Sequence, residues 1–475
     1  MKNQVFNPYL PSWEYIPDGE PRVFHDRLYI YGSHDCFGGT KYCENDYVCW
    51  SAPITDLSDW RYEGIIYRRT DHPKDSVHKR TCLYAPDVIQ APDGKYYLYY
   101  SMSDSSIISV AVCDTPAGSY RYLGDIHDKD GRIIGNLPGD FYQFDPSIFI
   151  DDDKRIYLYS GFAPKKNIDE NGLLYPGCHV TELESDMLTA KGRPALIISK
   201  EWRQEEQAAY FEAPSMRKIH SLYYLVYSAK ATGLFYYFSR YPDRDFRFGG
   251  RIHSTSDIGL NSFTVNAPAY PVGNIHGGLA CVNDTYYIFS HRHTNNSSYQ
   301  RQGVAEPVYI DGQGHIAQAE ATSCGLNGGP LRGAGTYPAY IACQLYRSTP
   351  SDSDTAPASC ITQDTEDIAA PPFCDNPPVQ YIHGIDHHTI IGYKYFFMEA
   401  AVSEISLCIR GTAHGTLRIC INDADCCVSA VSIDLHCKSW ISLTAKTDIT
   451  VGKCALFFVY EGAGSFDLQQ FTLIP

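Results

Sequence analysis

The sequence lacks the features that mark membrane proteins and exported proteins. No window approaches the roughly 18 consecutive apolar residues of a membrane-spanning helix. The first residues, MKNQVFNPYLPSWEYIPDGEP, contain one lysine but no apolar stretch of the kind found in signal peptides. We therefore expect a protein that is neither bound to a membrane nor exported by a visible signal.

Positive charge is also scarce. The chain has 39 Lys and Arg against 55 Asp and Glu, a formal net charge of −16, and no run of basic residues. Nucleic-acid binding needs a basic face that neutralises phosphates and releases their counterions. The composition therefore excludes nucleic acid as an expected partner, and the acidic charge mainly favours solubility.

Cysteine occurs 17 times, but not in the pattern of a disulfide framework or a structural zinc site. The closest groupings are Cys36 with Cys43 and Cys426 with Cys427, and neither has a paired C-x-x-C half. An odd number of scattered cysteines indicates reduced thiols. We expect a cytoplasmic protein, or a secreted one if a signal peptide has been removed.

Aromatic and turn-forming residues are abundant, with 38 Tyr, 21 Phe, 37 Gly and 28 Pro, which favours strands and turns over helices. Five segments share one plan: a short apolar strand, a turn, and an aromatic-rich strand that ends in a small residue. They recur roughly every 60–70 residues, the size of a four-stranded propeller blade with its loops. The segments begin near Asp18, Asp87, Asp145, Glu212 and His276.

This repeat predicts an all-β fold in which residues 1–330 form a five-bladed β-propeller. Residues 331–380 are rich in Ser, Thr, Asp and Pro over much of their length, so we interpret them as a connecting segment. Short alternating strands return in residues 381–475, and six or more of them predict a β-sandwich domain.

Three of the five leading residues, Asp18, Asp145 and Glu212, are carboxylic acids at equivalent positions of their blades. Innermost strands of a propeller begin at its axis, so the three acids should share one pocket. Hydrolysis of a glycosidic bond needs one protonated carboxyl group and one carboxylate, and crowded, buried acids split their pKa values in this way. We assign Asp18 as the general base, Glu212 as the general acid and Asp145 as the modulator of its pKa. A wide separation across the funnel predicts inversion.

Other interpretations stay open for the individual residues. An Asp beside Pro or Gly is commonly a solvated turn residue, and Asp87, which follows its proline, is as well explained by a backbone bond as by a place in the pocket. His276 replaces the acid in the fifth segment and could bind a metal directly or through water. Calcium prefers oxygen ligands, so His276 would form one corner of a mostly hydrated site.

Several aromatic residues near the acids could stack on a sugar ring, although core packing is the commoner role for any one of them. They are Trp13, Tyr84, Phe141, Tyr142 and Phe211. Ser33, His34 and Asp35 are arranged like a fragment of a catalytic triad, but neighbours on a strand point to opposite faces. We therefore expect His34 to form hydrogen bonds in the pocket or the core.

At these residues the chain resembles glycoside hydrolase family 43. The motifs are Pro17-Asp18-Gly-Glu-Pro-Arg-Val-Phe, Tyr29-Ile-Tyr-Gly-Ser-His34-Asp35, Tyr84-Ala-Pro-Asp87-Val, Phe144-Asp145-Pro-Ser-Ile-Phe, Phe211-Glu212-Ala-Pro-Ser, His276-Gly-Gly and Phe289-Ser-His291-Arg292-His293-Thr294. The resemblance implies a five-bladed propeller with Asp18 as base, Asp145 as pKa modulator and Glu212 as acid. It also places His276 in the central channel, near a bound calcium ion.

The first motif departs from the usual Asp-Pro of the family, because Gly19 follows Asp18, and Glu20 is then a competitor for the base position. We expect no organic cofactor. The residues expected to bind substrate are Trp13, His34, Asp35, Tyr84, Asp87, Phe141, Tyr142, Phe211, His276 and Arg292.

The last segment resembles the β-sandwich of carbohydrate-binding module family 6. The motifs are Gly392-Tyr-Lys-Tyr-Phe, Gly411-Thr-Ala-His-Gly and Gly462-Ala-Gly. No aromatic platform for a sugar is evident in this segment, so it could serve only to brace the propeller.

The resemblance implies an inverting exo-acting α-L-arabinofuranosidase or β-D-xylosidase that acts on arabinose- or xylose-containing oligosaccharides of the plant cell wall, such as those of xylan. The alternatives are an exo-β-1,3-galactosidase or an endo-arabinanase on the same fold. A non-catalytic carbohydrate-binding propeller is a further alternative, but the presence of all three acids argues against it. The oligomeric state is left open.

Overall fold

The computed structural model describes residues 3–74, 81–202, 206–230, 232–348, 359–366 and 377–475. Regular structure in these ranges consists of β-strands and short 3₁₀ turns. The 3₁₀ turns are Arg69–Asp71, Glu206–Ala208, Gly325–Asn327 and Ala339–Ile341. No helix in this part of the chain has the length and apolar character needed to cross a membrane.

Two antiparallel sheets of four strands in sequential order form the first two blades. The strands of the first blade are β1 (Glu20–Phe24), β2 (Arg27–Tyr31), β3 (Tyr47–Pro53) and β4 (Arg61–Tyr67). Those of the second blade are β5 (Asp87–Gln90), β6 (Tyr96–Tyr100), β7 (Ser109–Cys113) and β8 (Arg121–Asp125).

The third blade has four principal strands, and two short strands extend it. The strands are β9 (His127–Asp128), β10 (Ser147–Ile150), β11 (Ile156–Ser160), β12 (Gly177–Leu183), β13 (Thr189–Ala190) and β14 (Ala195–Ser199). The fourth blade consists of β15 (Tyr210–Ile219), β16 (Leu222–Ala229), β17 (Gly233–Ser239) and β18 (Arg247–His253).

The fifth blade consists of β19 (Leu279–Val282), β20 (Thr285–Thr294) and β21 (Ser297–Val308). The first segment of the chain packs against this blade: the Asn7 side chain donates to Ala305 O at 3.1 Å and to Thr322 O at 3.0 Å, and the Tyr9 amide donates to Gly303 O. The beginning of the propeller therefore closes on its end. Together the five sheets confirm the predicted five-bladed propeller.

The hydrophobic core of the propeller lies between the blades. Five clusters of buried side chains each combine residues of two neighbouring blades. Both faces of the aromatic-rich second strand of a blade are covered by neighbours, which explains why these strands are apolar almost throughout. The recurrent Tyr, Ile and Leu of the repeat are thus interblade packing residues.

Tyrosine hydroxyls connect each of the first four blades to the next. Each hydroxyl donates to a backbone carbonyl in a turn of the following blade, so that a buried ring keeps its polar end satisfied. The bonds are Tyr31 to Pro116 O (2.7 Å), Tyr99 to Met187 O (2.7 Å), Tyr159 to Pro242 O (2.8 Å) and Tyr224 to Gly314 O (2.8 Å).

The C-terminal part of the described chain contains nine strands around one large cluster of buried side chains, an arrangement that fits the predicted β-sandwich. Its longest strands are β28, β29 and β30, and β30 pairs with β23, β26, β27 and β28. The strands are β22 (Leu331–Arg332), β23 (Gly335–Pro338), β24 (Gln344–Arg347), β25 (Cys360–Thr362), β26 (Tyr381–Ile385), β27 (Thr389–Met398), β28 (Val402–Ile421), β29 (Cys427–Ile449) and β30 (Gly452–Ile474).

The segment predicted as a connection, residues 331–380, contributes four of these strands, β22–β25, which pair with β26, β27 and β30. Its described part therefore belongs to the sandwich rather than to a free linker. Residues 349–358 and 367–376 of the same segment lie outside the described ranges. The exact boundary between propeller and sandwich stays a prediction.

A buried ionic contact anchors the sandwich to the propeller. The Lys394 ammonium lies 2.8 Å from Asp257 Oδ2 and 2.8 Å from Glu320 Oε1, and the neighbouring Tyr395 hydroxyl donates to Glu320. Asp257 is fully buried and also accepts a hydrogen bond from Gln344. Because this acid has no access to water, its charge depends on the lysine of the other domain.

Replacing Lys394 with alanine should destabilise the protein, because Asp257 would be left buried without its cation. Removal of one member of a buried ion pair costs about 3–5 kcal/mol, and we expect the free energy of unfolding measured by denaturant titration to fall by that amount. Lys446, an exposed residue of β29, provides the matched control as Lys446→Ala. Equal unfolding midpoints for the two variants would contradict the anchoring role.

Candidate active site

The starts of the innermost strands surround one pocket on the axis of the propeller, with a cavity volume of about 430 Å³. Every blade contributes to its wall. The lining residues are Asp18, Tyr42, Cys43, Tyr84, Ala85, Phe144, Asp145, Phe211, Glu212, Ser228, Lys230, Gly273, Asn274, His276 and Arg301. The structure thus brings the three acids of the repeat, and His276, into a single site.

The backbone adopts the same unusual conformation at three of these blade starts. Asp18 has φ +57°, Asp145 has φ +49°, and Ala213, directly after Glu212, has φ +63°. The left-handed region is sterically unfavourable for residues with a Cβ, although Asp tolerates it better than most. Strain of this kind persists only where the surrounding structure holds it, and here it orients the acids toward the axis.

Arg301 on β21 connects the first acid to the fifth blade. Its Nη1 lies 3.0 Å from Asp18 Oδ1, while Nε and Nη2 donate to the two oxygens of Asp35 at 2.8 and 2.9 Å. The arginine is only 1% exposed and the acids are also buried. The planar fork of guanidinium donors suits this arrangement, in which one cation serves two carboxylates.

This environment keeps Asp18 ionised. Burial alone would raise the pKa of its carboxyl group, but Arg301 outweighs that effect, and His291, His276 and the Ser33 hydroxyl add to it. The pKa is lowered to about 2. At neutral pH Asp18 is therefore a carboxylate, able to accept a proton from water.

The other two acids have the opposite shift. Burial, followed by the negative charge of Asp145, raises the pKa of Glu212 to about 8. Burial also raises the pKa of Asp145 to about 7, with Asp18 adding to the effect and His276 opposing it. Glu212 is therefore protonated at neutral pH, and the site contains the carboxylate and the carboxylic acid that acid–base hydrolysis of an acetal requires.

His276 lies between two acids, Asp145 of the pocket and Glu20. Its Nδ1 is 3.7 Å from Asp145 Oδ2, and its Nε2 is 3.7 Å from Glu20 Oε1. Glu20 in turn pairs with Arg217 at 2.5 Å and accepts from Ser215. Burial opposes a charge on the imidazole, but Glu20, Asp145 and Asp18 raise the pKa of His276 to about 9.

These contacts also separate the two candidates for the general base. Glu20 is not among the residues that line the pocket, and its carboxylate is taken up by Arg217 and Ser215. Asp18 lines the pocket together with Glu212. The arrangement therefore favours Asp18 over Glu20 as the base.

The described residues do not fit a directly bound calcium ion. No group of three His, Cys, Asp or Glu side chains within the described ranges is arranged to hold a metal. Both nitrogens of His276 face carboxylates at 3.7 Å, Nδ1 that of Asp145 and Nε2 that of Glu20, so neither nitrogen is directed toward an open ligand position. We therefore derive no catalytic step through a metal.

Of the residues expected to bind substrate, Tyr84, Phe211 and His276 line the pocket. Two others contact residues of the pocket wall without lining the pocket themselves. Asp35 accepts hydrogen bonds from Arg301, and Tyr142 packs on Phe144 at a ring-centroid distance of 6.4 Å. The roles of these residues toward a sugar stay predictions.

The remaining expected residues are not brought to the pocket wall. Trp13 packs on Trp50, His34 bonds to Glu14 and to the carbonyl of Asp46, and Phe141 packs on His179. Asp87 forms an ion pair with Arg22 at 2.5 Å. Its carboxylate is therefore engaged in the contact between the second blade and the first. Arg292 donates to Gln302 and to the carbonyls of Tyr340 and Ala342, at the junction with the sandwich.

Sequence reasoning missed several residues of the wall, above all Arg301, together with Tyr42, Cys43, Asn274 and Lys230. Arg301 lies directly across from His293 in the β20–β21 ladder. Histidines of β20 belong to a motif that the sequence does reveal, so the cross-strand partner could have been found if the register of the hairpin had been known. The other residues lie in loops or at strand ends without a recognisable spacing.

A propeller whose axial pocket holds one ionised and one protonated carboxyl group defines a glycoside hydrolase. Residues 17–316 match the family model described as glycosyl hydrolases family 43. The chain belongs to this family.

Similar proteins agree with this assignment. The chain is 42% identical over 486 residues to a xylosidase/arabinosidase of Thermoclostridium stercorarium, covering 100% of this chain and 99% of the relative. The fold is similar to a family 43 arabinoxylan arabinofuranohydrolase from Bacillus subtilis in complex with cellotetraose, with 18% identity, a TM-score of 0.51 and coverage of 98% and 97%. A GH43_1 enzyme from Xanthomonas citri complexed with xylotriose has 22% identity, a TM-score of 0.53 and coverage of 66% and 93%.

Replacing Arg301 with lysine should raise the pKa of Asp18, because an ammonium cannot bridge Asp18 and Asp35 at once. The protonated form of Asp18 cannot act as a base, so the acid limb of the kcat/KM profile should move to higher pH by about one unit or more. Arg27→Lys, at a site that bonds Ser51 in the first blade, is the matched control. An unshifted acid limb in Arg301→Lys would disprove the proposed influence of the arginine.

Removal of divalent metal should leave turnover unchanged, because both ring nitrogens of His276, the expected metal ligand, face carboxylates. The measurement is kcat/KM after exhaustive dialysis against EDTA, compared with the same enzyme supplied with calcium. Loss of activity in EDTA with recovery on addition of calcium would show that a metal, bound through water, is needed after all.

Proposed function

We propose that this protein is an inverting exo-acting glycosidase that releases terminal xylose or arabinofuranose from oligosaccharides, a β-D-xylosidase and α-L-arabinofuranosidase. The observation that carries the proposal is the pair formed by ionised Asp18 and protonated Glu212 in one axial pocket. The name of the Thermoclostridium stercorarium relative supports the choice of sugars.

The two carboxyl groups suggest the following course of reaction. A terminal sugar binds with its anomeric carbon between Asp18 and Glu212. Asp18 accepts a proton from the attacking water, Glu212 gives its proton to the leaving oxygen, and the bond from that oxygen to the anomeric carbon breaks. Attack opposite to the leaving group inverts the configuration of the anomeric carbon.

Surrounding charges would maintain this division of roles between turnovers. Arg301 holds Asp18 in its charged form, and burial, followed by the negative charge of Asp145, raises the pKa of Glu212 so that it retains its proton. Glu212 is only partly buried, whereas Asp18 is 5% exposed. Glu212 can therefore recover a proton from solvent at the pocket mouth after each product has left.

The name of the Thermoclostridium stercorarium relative, a xylosidase/arabinosidase, supports removal of single terminal residues. An endo-arabinanase would need a cleft open at both ends. An exo-β-1,3-galactosidase remains an alternative that shares the same acid pair, and it is distinguished by turnover of a galactoside but not of a pentoside.

For the C-terminal domain we propose the architecture of a family 6 carbohydrate-binding module used as a brace. Its buried contacts through Lys394 and through Arg292 support a fixed rather than a tethered domain. The sixteen cysteines in the described ranges are all free thiols, which supports work in a reducing compartment.

Replacement of the acid by its amide, Glu212→Gln, should reduce kcat/KM by about a hundredfold or more, because the leaving oxygen loses its proton donor. The substrates are 4-nitrophenyl β-D-xyloside and α-L-arabinofuranoside, with xylobiose as a substrate whose leaving group needs more protonation. In the wild type the rate should fall as pH rises through about 8, where Glu212 loses its proton. The variant should lack this alkaline limb.

The matched control is Glu182→Gln, on β12, where the glutamate pairs with Lys191 on the surface of the third blade. It should keep wild-type rates. Full activity of Glu212→Gln on xylobiose would refute the assignment of the acid. Absence of wild-type turnover on both pentosides would instead redirect the search to another sugar.

A further inference from the structure

Phe144 and Phe211 of the pocket wall belong to a row of contacting aromatic rings from the third and fourth blades. Phe211 contacts Phe162 at a ring-centroid distance of 5.2 Å, and Phe162 contacts Phe144 at 5.2 Å and Tyr175 at 5.7 Å. Phe144, Phe162 and Phe211 are all partly exposed. Exposed ring faces beside a sugar pocket are suited to the C–H face of a second sugar.

Lys230 stands at the end of this row and has an exposed side chain. It follows β16 directly, and the β15–β16 register, which pairs Tyr210 with Ala229 and Glu212 with Ser228, places it beside the general acid. Its ammonium lies 5.7 Å from the centre of the Phe211 ring and belongs to the pocket wall. Lysine and acid therefore share the same rim.

Lys230 forms no ion pair with any residue that the structure describes. Four other lysines, Lys74, Lys191, Lys218 and Lys394, form ion pairs with carboxylates, but Lys230 forms none among the described residues. The other cations of the wall are engaged, since Arg301 serves Asp18 and Asp35, and His276 lies between Glu20 and Asp145. In a chain of net charge −16, a cation left without a carboxylate at the mouth is available to a ligand.

The position of Glu212 decides which part of the substrate meets Lys230. A general acid must reach the oxygen of the bond that breaks, so the leaving group departs past the rim on which Glu212 lies. Phe211 and Lys230 flank Glu212 on this rim. They therefore contact the leaving group and not the sugar that is released.

We propose that Lys230, with Phe211 and Phe162, forms a leaving-group subsite that recognises a carboxylate, so that the enzyme accepts oligosaccharides whose leaving portion carries a uronic acid. The rings support the sugar face, and the ammonium pairs with the acid group. This inference rests on the proposed function, because it assumes that Glu212 protonates a leaving oligosaccharide.

The test compares two substrates that differ by one acidic substituent. The neutral substrate is xylotriose, and the acidic one is the same trisaccharide with glucuronic acid attached to the xylose next to the non-reducing end. The variants are Lys230→Gln, which removes the charge, and Lys230→Arg, which keeps it. Lys438→Gln, an exposed lysine of β29 far along the sandwich, is the matched control.

An exposed ion pair of this kind is worth about a two- to fivefold effect. We expect Lys230→Gln to lower kcat/KM by about that factor on the acidic substrate only, and Lys230→Arg and Lys438→Gln to keep wild-type values. Added salt should reduce wild-type kcat/KM on the acidic substrate and leave that on xylotriose unchanged, because screening weakens exposed charge pairs.

Three results would overturn the inference. They are an equal loss on both substrates in Lys230→Gln, no loss on either, and failure of the wild type to cleave the acidic substrate while it cleaves xylotriose. Failure of the wild type on xylotriose as well would instead contradict the proposed function. The neutral substrate thus separates an error about the subsite from an error about the enzyme.

Discussion

The bridge from Arg301 to Asp18 and Asp35 is the interaction on which the rest of the site depends. Five strands that converge on an axis bring acids together in a place that water reaches poorly, and without a cation each of them would be neutral. One guanidinium, held by the fifth blade, keeps the acid of the first blade charged. The charge of Asp18 then lies close to Asp145 and Glu212 and adds to the rise in the pKa of both groups.

The framework around this bridge has to hold five independent sheets in fixed positions. Interblade clusters of aromatic and aliphatic residues supply the packing, while the tyrosine hydroxyls fix the rotation of each blade relative to the next. A polar bond at the end of a buried ring has a defined direction, which apolar contact alone lacks. The left-handed residues at the blade starts can therefore remain in an unfavourable conformation, since the blades cannot shift to relieve them.

Much of the fold could be predicted because its signals are local. A hairpin, with its turn residues and alternating strand, is contained within about 20 residues, and five copies reveal a propeller. Asp18, Asp145 and Glu212 were found because they occupy the same place in the repeat. Asp87 has a similar place, but its partner Arg22 lies in another blade, and no spacing predicts such an ion pair. Arg301 was missed for a related reason, because its importance depends on the register of β20 and β21.

The closure of the propeller by its own first residues has a consequence for how the protein can evolve. Asn7 and Tyr9 bond to the end of the fifth blade, so the two ends of the propeller lie side by side, and the first residues close the last blade. Each repeat is then a nearly self-contained unit between two equivalent joints. A gene encoding such a ring can gain or exchange loops at the pocket mouth, and so change its substrate, without disturbing the order in which the blades assemble.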